Sequence, residues 1–170
     1  MKIAITDACI FIDLYELDLI TIFFSLPLEI HTSLDVFNEL YPSQRKLLAA
    51  FQSVGKLSVH NITMADRQLI LAGTYPKGLS DNDKTVLYLA EKLGAMVLSS
   101  DKTVRAHAKK KSIEYHGMLW IFDRLVEVSA IKHAEAASKL KQLILTNIVY
   151  QNNAGLVAEM NQRLKAWTRQ

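Results

Sequence analysis

A chain of 170 residues, half of them hydrophobic and 22% charged, can bury one substantial core and is too apolar for a disordered or low-complexity protein. Its net charge of +3 permits contact with nucleic acid without requiring it, and the single cysteine, Cys9, excludes an internal disulfide or a cysteine zinc cluster. Acids at Asp7, Asp13, Glu16 and Asp18 interrupt the apolar N-terminal run, so it reads as a folded start rather than a signal peptide or spanning helix, with a cytoplasmic location expected.

Lys2–Thr6 is a β-branched apolar strand ending at Asp7. Helices are predicted over Ala8–Leu14 and Asp18–Leu26, the second halted by Pro27. Leu28–His31 is a second strand, and Thr32 or Ser33 caps a helix over Leu34–Leu40 that carries Asp35 and Glu39. After Tyr41-Pro42 a helix spans Ser43–Val54 and stops at Gly55. Leu57–Ile62 is a third strand, and Thr63 caps a helix to about Ala72. Following the loop Gly73–Ser80, Ser80 as N-cap with Asp83 three residues on forms a capping-box start for a helix ending at Gly94. Ala95–Leu98 is the fourth strand, and Ser99, Ser100 and Asp101 lead into a helix rich in Lys and Arg. Ile113–Tyr115 is a fifth strand, and Gly117 turns the chain into a helix holding Leu119, Trp120, Ile121 and Leu125. Two amphipathic helices follow, His133–Ile148 and Leu156–Trp167, joined by the polar turn Gln151–Gly155. Strands alternating with helices imply a parallel α/β sheet over residues 1–130, with 131–170 as a helical extension packed on or beside it.

Four acids stand out by placement: Asp7 and Asp101 end strands, while Glu39 and Asp83 lie on helices able to face the same sheet edge. Each has an ordinary explanation when read alone: a helix cap for Asp7, Asp83 and Asp101, and a solvated surface position for Glu39. Converging carboxylates without cationic partners repel one another, a cost that a divalent metal removes. Oxygen-only ligation favours Mg²⁺ or Mn²⁺ over zinc. Asp13, one turn beyond the strand end, is expected to be exposed. His31, His60, His107, His116 and His133 are scattered and suggest no imidazole metal site, and Trp120 and Trp167 read as core or interface anchors.

These phrases, in order, resemble the PIN-domain family of metal-dependent nucleases, and the prokaryotic VapC-like toxins and stand-alone PIN proteins within it. Residues Ile5–Ile12 are similar to that family's opening strand with its first catalytic Asp, and Val36–Leu40 to its helical second acid. Gly78–Asp83, followed by Leu87 to Leu93, resembles the third-acid motif, with Asp81 as the alternative to Asp83, and Leu98–Asp101 resembles the fourth. The resemblance implies a PIN-like α/β/α sandwich and hydrolysis of RNA phosphodiester bonds, with Asp7, Glu39, Asp83 and Asp101 as catalytic metal-holding acids. It also implies that Ser99, Ser100 and Asp81 support them and that Lys102, Arg105 and Lys109 contact phosphate. Small PIN proteins of this kind are frequently toxins held by a cognate antitoxin and often dimeric, so an antitoxin, a homodimer and RNA are the expected partners, with no membrane. The alternative is a PIN-like module that binds RNA or protein without catalysis. A haloacid-dehalogenase phosphatase needs a second Asp where Cys9 stands, and a response-regulator receiver needs an acidic pair absent here.

Overall fold

The computed structural model describes residues 1–169. Five short apolar runs pair side by side: β1 (Lys2–Thr6), β2 (Leu28–Ser33), β3 (Leu57–His60), β4 (Met96–Leu98) and β5 (Tyr115–His116). Every pairing is parallel, and the strand order is β3-β2-β1-β4-β5. Parallel strands covered on both faces must be apolar throughout, which β4 meets with three buried residues and β1 with Ala4 and Ile5 at 0% exposure. β1 is therefore the central strand.

The helices are α1 (Ala8–Glu16), α2 (Ile20–Phe23), α3 (Leu34–Glu39), α4 (Pro42–Ser53), α5 (Met64–Ala72), α6 (Asp81–Leu93), α7 (Lys102–Lys110), α8 (Met118–Glu127), α9 (His133–Thr146), α10 (Ile148–Gln151) and α11 (Ala154–Thr168). From β1 the chain winds outward to β2 and β3, then returns to β4 and β5 on the other side of β1. Right-handed crossovers running in opposite directions place their helices on opposite faces of the sheet, giving the expected α/β/α sandwich. α6 lies across β1, β2 and β4, while α1 packs with α2 and α4, and α2 with α8.

Local chemistry sets the boundaries. Pro42 starts α4 at its first position, where the missing N–H costs nothing. Gly94 ends α6 with φ 59°, the left-handed cap that glycine adopts without strain. Asp18 takes φ 55°, so the helix expected over Asp18–Leu26 shrinks to Ile20–Phe23. The third strand ends at His60 rather than Ile62, and the fifth begins at Tyr115 because Ser112 turns through φ 57° just before Ile113. The helix expected over His133–Ile148 breaks at Asn147, whose φ of −121° is extended and whose side chain accepts the Val149 N–H at 3.0 Å.

α9 and α11 pack on each other, and α9 also packs on α8. Ala136, Ala137, Leu140, Leu143, Met160 and Trp167 join the same buried cluster as the sheet. Lys139 Nζ donates to the Leu17 carbonyl at 2.6 Å, and Arg163 grips Asp123 with two bonds of 2.8 and 2.7 Å. Among the described residues no helix is long and apolar enough to cross a membrane.

If α9 is part of this core, Leu140→Ala should lower the unfolding free energy by about 2–5 kcal/mol. Leu145→Ala, at a side chain 77% exposed, should change it by less than about 0.5 kcal/mol. Urea denaturation of both variants measures the contrast.

Candidate active site

The strand order reverses between β1 and β4, and outside the carboxyl ends of strands at such a point lies the crevice where α/β sheets place their sites. The chain puts Asp7 at the end of β1 and Ser99, Ser100 and Asp101 at the end of β4. The Asp7 N–H donates to the Leu98 carbonyl at 3.2 Å, which stitches the two ends together.

Asp7 is 2% exposed. Its Oδ1 accepts the Ile10 N–H at 3.1 Å and so caps α1, while the Cys9 thiol lies 2.9 and 3.1 Å from its two oxygens. Burial pushes its carboxyl from 3.8 up to about 6, against hydrogen bonds from Cys9, Ser99 and the Ile10 N–H that pull it down, and the nearby charge of Asp83 adds to the rise. No cationic side chain pairs with it among the described residues. The Cys9 thiol is pushed well above its ordinary value, by burial first and by the Asp7 charge second, so it stays a protonated donor.

The other acids are committed through one oxygen each. Asp83 Oδ2 takes the Ser80 hydroxyl at 2.7 Å and the Ser80 N–H at 3.3 Å, completing the expected capping box. Asp101 Oδ1 takes the Thr103 and Val104 N–H groups at 2.8 and 2.9 Å, and its own N–H donates to Ser99 Oγ at 3.0 Å. Glu39, exposed at the last position of α3, receives the Asn82 amide on Oε2 at 2.8 Å. In each case the second carboxylate oxygen carries no hydrogen bond among the described residues. A cap uses one oxygen of a carboxylate and leaves the other to a ligand. Asp81 points outward and pairs with Lys84 at 3.0 Å, whereas Asp83 is close enough for its charge to act on Asp7.

The donor chemistry fits a hard divalent cation, being all oxygen, negatively charged and centred on a buried carboxylate that lacks a counter-charge. Among the described residues no three His, Cys, Asp or Glu side chains gather closely enough to hold one ion. Magnesium keeps much of its water and is commonly bound through one or two carboxylates, so a closed cage is not required.

The supporting residues divide sharply. Ser99, fully buried, ties Asp7 to the Asp101 backbone. Ser100 turns instead toward the C-terminal helices, with its hydroxyl 2.8 Å from Tyr150 Oη. Lys102 and Arg105 line a cleft beside Asp101, and Arg105 lies over the Tyr115 ring, 5.4 Å from its centroid. Lys109 sits in the last turn of α7, about 10 Å of helix rise beyond Lys102.

Two expectations are corrected. Asp13 is buried, not exposed: Tyr150 Oη and Asn147 Nδ2 donate to its two oxygens, each at 3.0 Å, across the junction between α1 and α10. The histidines are not all scattered, since the parallel pairing of β2 with β3 brings His31 Nδ1 and His60 Nε2 to 3.0 Å. Burial lowers both pKa values, and two neutral rings sharing one hydrogen bond satisfy that contact. Sequence reading also passed over Asn82, Asn147 and Tyr150. Asn82 lies within the third-acid motif and could have been weighed, whereas Asn147 and Tyr150 sit in a helix break with no periodic signal.

An acid held above its ordinary pKa by the fold costs nothing well below its unfolded value of 3.8, destabilises increasingly between there and about pH 6, and costs a constant amount above that. In EDTA, Asp7→Asn should therefore stabilise the protein by up to about 3 kcal/mol at pH 7.5 and by almost nothing at pH 3. Thermal melts of both proteins across that range measure the difference.

A family model described as a PIN domain matches residues 3–165. No curated protein matches the chain. Among solved structures, a PilT N-terminus domain protein from the hyperthermophilic archaeon Sulfolobus solfataricus P2 is similar, with 15% identity and a TM-score of 0.45 over 70% of this chain and 89% of that one. PIN domains are generally nucleases and usually use divalent metals. With the family model spanning nearly its whole length, from the first strand into the last helix, this chain belongs to the PIN-domain family.

Proposed function

We propose that this protein is a Mg²⁺- or Mn²⁺-dependent endoribonuclease whose hydrated cation is held among Asp7, Glu39, Asp83 and Asp101, directly by one or two of them and through its water by the others. The observation that carries the reading is the buried Asp7 carboxylate, unpaired with any cation and raised further by the charge of Asp83, at the switch point of the sheet. A bound divalent cation would supply neutralisation of the phosphate charge and an activated water.

The chain's own residues do the rest. Asp7 is fixed by the Ile10 N–H and the Cys9 thiol, so it gives the site a rigid carboxylate that needs no reorganisation. Ser99 fixes the position of Asp101 relative to Asp7, and Asn82 fixes Glu39. Lys102 and Arg105 are the cations nearest Asp101 along α7 and would bind the phosphates flanking the cleavage point, with Lys109 farther along the same helix. The toxin role and its antitoxin or second copy belong to this proposal, supported by exposed Leu145 and Ile148 on the C-terminal helices.

A non-catalytic RNA- or protein-binding module remains the second reading, favoured by the structural hydrogen bonds that Glu39, Asp83 and Asp101 already make. Purified protein should cut single-stranded RNA with Mg²⁺ or Mn²⁺ and not with EDTA. Asp7→Asn and Asp101→Asn should each lower the rate at least about a hundredfold. RNA that stays intact with either metal would leave the binding module as the better account, and cutting that survives both substitutions would identify a contaminant.

A further inference from the structure

We propose that the cleft between α7 and the C-terminal helices α10 and α11 is a subsite for one unstacked nucleobase of a single-stranded RNA. On this proposal the C-terminal helices, rather than the sheet edge alone, select the strand that reaches the carboxylates. The inference rests on the nuclease reading above.

The cleft has a volume of about 680 Å³ and shares Cys9 and Asp101 with the candidate active site. That is ample for a nucleotide, since pockets for small ligands run to about 300–1,000 Å³. Its lining has two characters. Val149 and Leu156 give an apolar surface, while Asn153 and Glu159 supply polar groups from α11 and its cap. The chemical complement of such a lining is a flat heterocycle with a hydrogen-bonding edge. Asn153 spends its Oδ1 on capping Leu156 at 3.0 Å, which leaves its amide N–H groups for a ligand.

Arg105 supplies the charge. Among the described residues its guanidinium makes no hydrogen bond or ion pair, yet it is held in place. Tyr115 lies under it, and a methyl group at Gly117 would come to 3.2 Å from Nη1, so that glycine leaves the space Arg105 uses. An unpaired, propped guanidinium suits both a base face and the phosphate attached to it.

The opposite wall is fastened as well. Tyr150, 2% exposed, reaches both Asp13 on α1 and Ser100 at the end of β4, so α10 is pinned to the active-site loop rather than laid loosely over it. A subsite built by such a wall keeps its shape when empty, which lowers the cost of ordering it around a ligand.

The test uses the full chain in EDTA, with a labelled eight-nucleotide single-stranded RNA carrying one 4-thiouridine. Photo-cross-linking of the unmutated protein should join the probe to a peptide within residues 147–159. Leu156→Trp, which fills the cleft, and Arg105→Ala should each weaken binding about tenfold by fluorescence anisotropy. Lys141→Ala, which removes a charge outside the cleft, should change it less than about twofold. Cross-links confined to other segments, or unchanged affinity in a Leu156→Trp protein that melts like the parent, would overturn the subsite. With a divalent metal added, cleavage by the variants at unchanged KM would reject the subsite and leave the nuclease reading standing. RNA neither bound nor cut by the parent protein would reject both.

Discussion

Everything in this fold converges on the problem of keeping a carboxylate inside the protein. Asp7 ends the central strand at the place where the sheet reverses its winding, so neighbouring elements close over it from both directions. The fold answers part of the charge with the Ile10 N–H and the Cys9 thiol, and leaves the remainder as a carboxyl raised to about 6. A group held in that state is out of balance with its surroundings until a counter-charge arrives. That imbalance, more than the presence of acids as such, makes Asp7 the centre of the candidate site.

The surrounding acids show that the structural and chemical explanations are not rivals. Asp83 and Asp101 do cap helices, as their positions after Ser80 and after β4 require. Capping removes side-chain freedom and leaves the remaining oxygen of each without a hydrogen bond among the described residues. Glu39 reaches the same end through Asn82, at the cost of spanning from α3 to α6.

Most of the fold could be read from the chain, because parallel strands are apolar throughout and their helices carry regular stripes and caps. Ser33, Thr63, Ser80 and Asp101 all cap where their residue types predict. What failed to show was set by long-range contact or by unusual backbone. Asp13 has the spacing of an exposed helical residue, and only Tyr150 and Asn147, far along the chain, make its burial tolerable. His31 and His60 meet because of strand register, which no local pattern encodes. Asp18 and Asn147 interrupt helices through dihedral angles that their neighbours do not signal. The candidate acids were visible by position, but the one-oxygen division between cap and open coordination was not.

The bond from Tyr150 to Asp13 also bears on the order in which the molecule assembles. Its two ends are 137 positions apart in the chain. A contact of that separation pays a large loop-closure entropy and forms late unless intervening structure has already drawn its ends together. The sheet can be complete once β5 has paired, while Asp13 and Ser100 still face water and the wall of the cleft is absent. A chain whose sheet has paired before α10 docks would have its strand-end acids in place and this wall of the cleft missing.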